Sequence, residues 1–185
     1  MALAGASPFA SQYAVAAAVK ADVSVQTAPT LDSYKEIKWV DLLPKDWNPA
    51  KFMPGRQLGI ASDLDPEVQV PFAEMRLAFD NAPTVAAMDG ASVKLPGYLV
   101  PLEEVRGEMR EFLLVPYFGA CIHTPPPPAN QIVFVRLKVP ARGFHAMDTV
   151  WVAGRLATTR QSSDMGVSGY EIDAVSVDHY VPPSR

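Results

Sequence analysis

The chain has 185 residues, of which 49% are hydrophobic, and carries 20 acidic against 16 basic side chains for a formal net charge of −4. This suits one domain of ordinary size with a real core, and no run of about eighteen apolar residues free of charge exists to cross a membrane as a helix. Between Met88 and Arg185 nine basic residues face ten acidic ones, a balance that speaks against nucleic acid as a partner, because such affinity comes largely from Lys and Arg neutralising phosphates.

Residues 1–30 are Ala-rich and aperiodic, which predicts a flexible N-terminal arm, a linker or the remains of an export signal. The arm lacks the basic start and strongly apolar middle of a secretory signal. Residues 31–87 read as an irregular, partly helical extension packing on a neighbouring domain. Ile37, Trp39, Leu42, Leu43 and Trp47 stand there among Pro and Asp, a pattern in which aromatics clamp an irregular segment onto a core. Within 63–83, Asp65 supplies a helix cap, Pro66 the first turn and Glu67 a carboxylate near the positive end of the dipole. Phe72, Met75 and Phe79 recur at helical spacing and form one apolar stripe, while Pro71 is expected to delay or break the helix.

From Met88 the pattern turns to β. Val93, Leu95, Tyr98 and Val100 open a first strand interrupted by Gly97, and Arg110–Phe118 supplies a second. Between them Glu103–Glu111, charged with both signs, reads as a solvated hairpin turn. Residues 131–139 alternate, with Ile132, Phe134, Arg136 and Lys138 on one face and Val133, Val135, Leu137 and Val139 on the other. Residues 149–159 and 169–180 complete five strands, joined by a Gly-containing turn. Glycines in the first and fourth strands, Gly97 and Gly154, relieve tight curvature. The fold class expected is all-β, a small five-stranded OB-like barrel over 88–185 carrying the N-terminal extension, with a small β-sandwich as the alternative.

The joint between the second and third strands, Tyr117–Gln131, holds the single cysteine, one of the three histidines and four consecutive prolines. In extended geometry Cys121 and His123 point to one side, and thiolate with imidazole suits zinc, or less well copper. Two ligands do not make a site. His145 is the third ligand proposed, with His179, Glu103, Glu104 and Asp148 as other donors at no diagnostic spacing. Two other readings stay open: Cys121 as a small buried hydrophobe beside a hydrogen-bonded His123, or Cys121 as a nucleophile activated by His123. Pro125, Pro126, Pro127 and Pro128 favour polyproline II geometry, followed by the amides of Asn130 and Gln131. They serve either as a rigid brace for the Cys/His pair or as an interaction loop docking to an aromatic groove. None of the phosphate-cradling, dinucleotide, nucleophile-elbow or zinc-protease motifs occurs, so no enzyme and no organic cofactor are expected.

The tracts MDGASVKLPGYLVPLE (88–103) and REFLLVPYFGACIHTPPPPANQIVFV (110–135) resemble an uncharacterised bacterial family known only as a domain of unknown function. The resemblance covers roughly residues 82–181, with Met88-Asp89-Gly90 standing where the family has Leu-Asp-Gly. It implies an exported, periplasmic protein, accessory to zinc homeostasis or transport, whose partner is an ABC-transporter permease or another periplasmic protein. On that implication the chain is a non-enzymatic metal-binding accessory protein. The alternative is an interaction module docking to the permease through its proline loop, with Cys121 and His123 structural.

Overall fold

Alternating apolar and polar side chains produce the strands, and the computed structural model describes them within residues 33–52, 66–120 and 126–181. The elements are β1 (Lys35–Glu36), α1 (Pro66–Asp80), β2 (Ser92–Val105), β3 (Glu108–Val115), β4 (Val133–Ala141), β5 (Thr149–Ala157), β6 (Gln161–Ser163), β7 (Gly166–Ser168) and β8 (Tyr170–His179). The N-terminal arm and the Asp65 cap lie outside the described residues.

Five strands close a barrel. β2 pairs antiparallel with β3, and β3 with β4; β4 runs parallel to β8, β8 antiparallel to β5, and β5 returns antiparallel to β2. This closed sheet of five strands is the OB-type barrel expected of the sequence. Closure removes the open sheet edges that would otherwise recruit other chains. Two glycines permit it. A methyl on Gly154 would stand 2.3 Å from the Asp173 carbonyl oxygen, and one on Gly97 would stand 2.8 Å from Leu114 Cγ. Gly154 also lies where the β5–β8 register shifts between Ala153 and Gly154, so the strand bends there without a side chain in the way.

Inside the barrel Val93, Leu95, Leu99, Phe112, Leu114, Val133, Val135, Val152, Leu156 and Ile172 pack into one core. The alternation read for residues 131–139 holds: Val133, Val135 and Leu137 face inward, while Ile132 and Phe134 face outward. Val139 lies beyond the reach of the core and is 76% exposed. The outward side chains are buried as well, since Val100, Leu113, Val115, Ala120, Ile132 and Phe134 form a second cluster on the outer face of β2, β3 and β4. Tyr98, Leu102, Met147 and Met165 pack against it.

The extension is sewn to the barrel by hydrogen bonds that an apolar interface alone would not specify. β1 lies parallel to β2, and Ile37 and Leu42 enter the barrel core. Buried Tyr170 accepts from the Val85 N–H at 2.6 Å and donates to the Leu42 carbonyl at 2.9 Å; burial pushes its hydroxyl pKa up. The Trp39 indole donates to the Pro96 carbonyl at 2.7 Å. Met75 and Phe79 are buried as the stripe predicted, with Phe79 edge-on to Trp47 at 6.5 Å. Pro71 does not break the helix, which runs unbroken from Pro66 to Asp80. The missing N–H removes only one bond near the N-terminal end, and packing of the following turns keeps the helix continuous. Where a Gly-containing turn is expected before the last strand, the chain forms the β6–β7 hairpin.

Candidate functional site

β3 ends at Val115, and the chain turns through Tyr117, Phe118 and Gly119, where φ is +81°. Ala120 is fully buried in the outer cluster. Cys121 and His123, with Ile122, Thr124 and Pro125, lie outside the described residues. From Pro126 the path is described again. Pro126 is half-buried, and Pro127, Pro128, Ala129 and Asn130 are buried.

These residues are held by the fold. A methyl on Gly166 would come within 3.2 Å of Pro126 and 3.3 Å of Ile132, so β7 lies directly over them. The Ala129 carbonyl accepts from Gly169 N–H at 2.7 Å. Asn130 Nδ2 donates to the Pro83 carbonyl at 2.9 Å and Gln131 Nε2 to the Trp39 carbonyl at 3.0 Å. Both amides therefore tie the end of the tract to the extension. Pro127 and Pro128 spend their surface on packing within the chain, which is what a brace does.

Opposite the start of the tract is the β4–β5 turn, residues 142–148. Met147 adopts φ +68°, a left-handed conformation that costs a non-glycine residue about 1 kcal/mol or more. Two backbone bonds to β2 hold it there: Met147 N–H to the Leu99 carbonyl at 2.7 Å and Leu99 N–H to the Asp148 carbonyl at 3.0 Å. Gly119 N–H points at Met147 Sδ, 3.4 Å away. That contact joins the lead-in of the Cys/His tract to the turn that carries His145.

His145, the third ligand proposed from sequence, is 83% exposed and meets Asp148. Asp148 Oδ2 accepts the His145 backbone N–H at 2.8 Å, with His145 Nδ1 at 3.7 Å and His179 Nδ1 at 4.0 Å from the same oxygen. Phe144 stacks on the His179 ring at 4.5 Å. The structure thus gathers His145, Asp148 and His179 at one end of the barrel. Glu103 and Glu104 do not join them: they sit on the exposed end of β2, four and five residues past Leu99, roughly 13 Å or more along the strand. Among the described residues no group of three or more His, Cys, Asp or Glu side chains is arranged so that it could hold a metal ion. Met147 was not legible as part of the site, because no sequence signal places a methionine in a left-handed turn.

A hollow of about 580 Å³ lies by the β2–β3 hairpin, lined by Glu103, Arg106, Glu108, Arg110 and Arg142. Its three arginines and two glutamates carry both signs, and the guanidinium of Arg142 hydrogen-bonded to Glu108 lowers that carboxyl's pKa. It presents no single sign to a ligand.

A family model described as protein of unknown function (DUF3299) matches residues 39–179. The chain belongs to the DUF3299 family. The match begins at Trp39, so the family region takes in the extension as well as the barrel, more than the 82–181 of the resemblance. The crystal structure of a DUF3299 family protein from Pseudomonas aeruginosa PAO1 is similar over 82% of this chain and 99% of that one, with 36% identity and a TM-score of 0.65. A small single-stranded DNA-binding protein from Streptomyces coelicolor overlaps 52% of this chain and 99% of its own, at 14% identity and a TM-score of 0.32. The barrel assignment rests on strand order and register, not on that overlap. No curated protein matches the DUF3299 chain.

Proposed function

We propose that this protein is a non-enzymatic, periplasmic metal-binding accessory protein serving zinc homeostasis or transport, with copper as the second choice of metal. Cys121, His123 and His145 are the ligands of this reading. The observation that carries it is the Gly119 N–H contact to Met147 Sδ at 3.4 Å. Cys121 follows Gly119 by two residues and His145 precedes Met147 by two, and two residues span at most about 7 Å. The contact thus joins the two segments of chain that carry Cys121 and His145. Thiolate and imidazole are both good zinc ligands, and water can complete a tetrahedral shell.

The resemblance supplies the compartment and the partner, an ABC-type permease or another periplasmic protein. No helix among the described residues is long and apolar enough to cross a membrane. Burial of Pro127 and Pro128 favours the brace over the docking loop. Protein purified without chelator is expected to carry stoichiometric zinc by mass spectrometry. The double variant Cys121→Ser, His123→Ala should lose it. Unchanged zinc content in the double variant sinks the assignment.

A further inference from the structure

We infer that Met147 is a redox latch: oxidation of its thioether to the sulfoxide by a peroxide unfastens the Tyr117–Ala120 turn, which leads into the Cys121 tract, from the β4–β5 turn. The inference goes beyond the proposed metal binding and does not rest on it, since neither Cys121 nor His145 takes part.

Two left-handed residues meet at the latch. Met147 has φ +68° and Gly119 φ +81°, and Met147 Sδ accepts the Gly119 N–H across 3.4 Å. The two sides are not equally free to move. Glycine leaves a left-handed conformation at little cost, whereas the backbone at Met147 and Asp148 is pinned to β2 by the pair of hydrogen bonds with Leu99. Strained non-glycine residues held in this way cluster at switch regions. A change at the sulfur is therefore passed to the Gly119 side.

Met147 and Met165 are partly exposed where they pack on the outer cluster, whereas Met75 and Met109 are buried. A peroxide reaching Met147 is attacked by a sulfur lone pair: the S–O bond forms, the O–O bond breaks, and the proton of the transferred hydroxyl moves to the departing oxygen, which leaves as water. Sulfur is oxidised by two electrons and the peroxide reduced by two. The product is a polar group where an apolar one stood. The adjoining cluster, Ala120 included, is apolar, so an S–O group left in it without a hydrogen bond is costly. Nor does the added oxygen fit between sulfur and donor, since an N–H···O bond alone spans about 2.9 Å of the 3.4 Å present. Turning the sulfoxide to water withdraws Sδ from the Gly119 N–H. Phe118, edge-on to Tyr98 at 5.9 Å, still holds the turn near its place, so the result is local opening and not unfolding.

The test treats full-length Cys121→Ser protein, in which thiol oxidation is removed, with hydrogen peroxide, beside wild type and the Cys121→Ser, Met147→Leu double variant. Circular dichroism checks that each is folded, peptide mass spectrometry locates the sulfoxides, and NMR follows hydrogen exchange of the Gly119 amide. Met147 should oxidise before Met75 and Met109, and Gly119 exchange should then rise about tenfold, as loss of one hydrogen bond gives. Methionine sulfoxide reductase should reverse the rise. The Met147→Leu protein lacks the acceptor, so its exchange starts fast and peroxide should change it no further. Sulfoxide at Met147 with unchanged Gly119 exchange overturns the latch. So does a Met147→Leu protein that responds as much as its parent, or a Met147 that oxidises no faster than Met75 and Met109. None of these outcomes touches zinc content, which tests the proposed function separately.

Discussion

Leu113 and Leu114 are neighbours on β3, and both are buried, but in different kinds of surroundings. Leu114 points into the barrel, among hydrogen-bonded strands joined by Ile37 and Leu42 of the extension. Leu113 points outward into a cluster walled partly by strands and partly by Ala120, Met147 and Met165 from turns. In barrels of this type the outer face of these strands and the adjoining loops commonly bind oligonucleotides or oligosaccharides. Here the protein's own residues fill it. The difference teaches that the inner core makes the fold, while the outer cluster holds Ala120 and Met147, which neighbour the candidate ligands in sequence.

The comparison can be broken by truncating each layer in turn. Leu114→Ala should cost about 4 kcal/mol in urea unfolding, because closed strands cannot collapse into the cavity. Leu113→Ala should cost about 2 kcal/mol, since turn segments can settle inward. Equal costs would mean that both layers are equally rigid. Next in size, Tyr170→Phe should cost about 2 kcal/mol or less by leaving the Val85 N–H and Leu42 carbonyl without their buried partner. An unchanged midpoint would show that the extension is held by its apolar contacts alone.

The smallest effect concerns the seam where β2 meets β5. Asp89 accepts hydrogen bonds from the backbone and side chain of Thr158, and these, the backbone bond first, lower its pKa. A depressed carboxyl pKa means that its contribution is present above the unfolded value and is lost as pH falls through the folded one. The melting temperature of wild type should therefore drop on acidification below about pH 4, and Asp89→Asn should show a shallower drop. Parallel curves for the two proteins would remove Asp89 from the seam.

Much of the barrel is legible in the sequence because its physical causes are local. Alternation in 131–139 names the inward Val133 and Val135, and Gly97 and Gly154 mark two of the close approaches. The helical stripe Phe72, Met75, Phe79 predicts a packed face, and Met75 and Phe79 are buried. The local cues fail where distant partners decide. Pro71 is absorbed by a helix that tertiary packing holds, and the two-residue β1 pairs with β2 at Val93 and Lys94, on the side opposite β5 that β3 does not reach. For the site, residue types point to Cys121, His123 and His145, but spacing could not rank Asp148 or His179 above Glu103 and Glu104.

By itself the sequence determined the strand pattern, the glycines that let it close and the chemistry of the candidate ligands, because side-chain alternation and donor type are properties of single segments. Only the tertiary structure decided that the outer face is filled, that Pro127 and Pro128 are buried, and that His145, Asp148 and His179 meet. These depend on which strands pair and in which register. A shift of one residue in β8 would turn His179 to the opposite face of the sheet, away from Asp148.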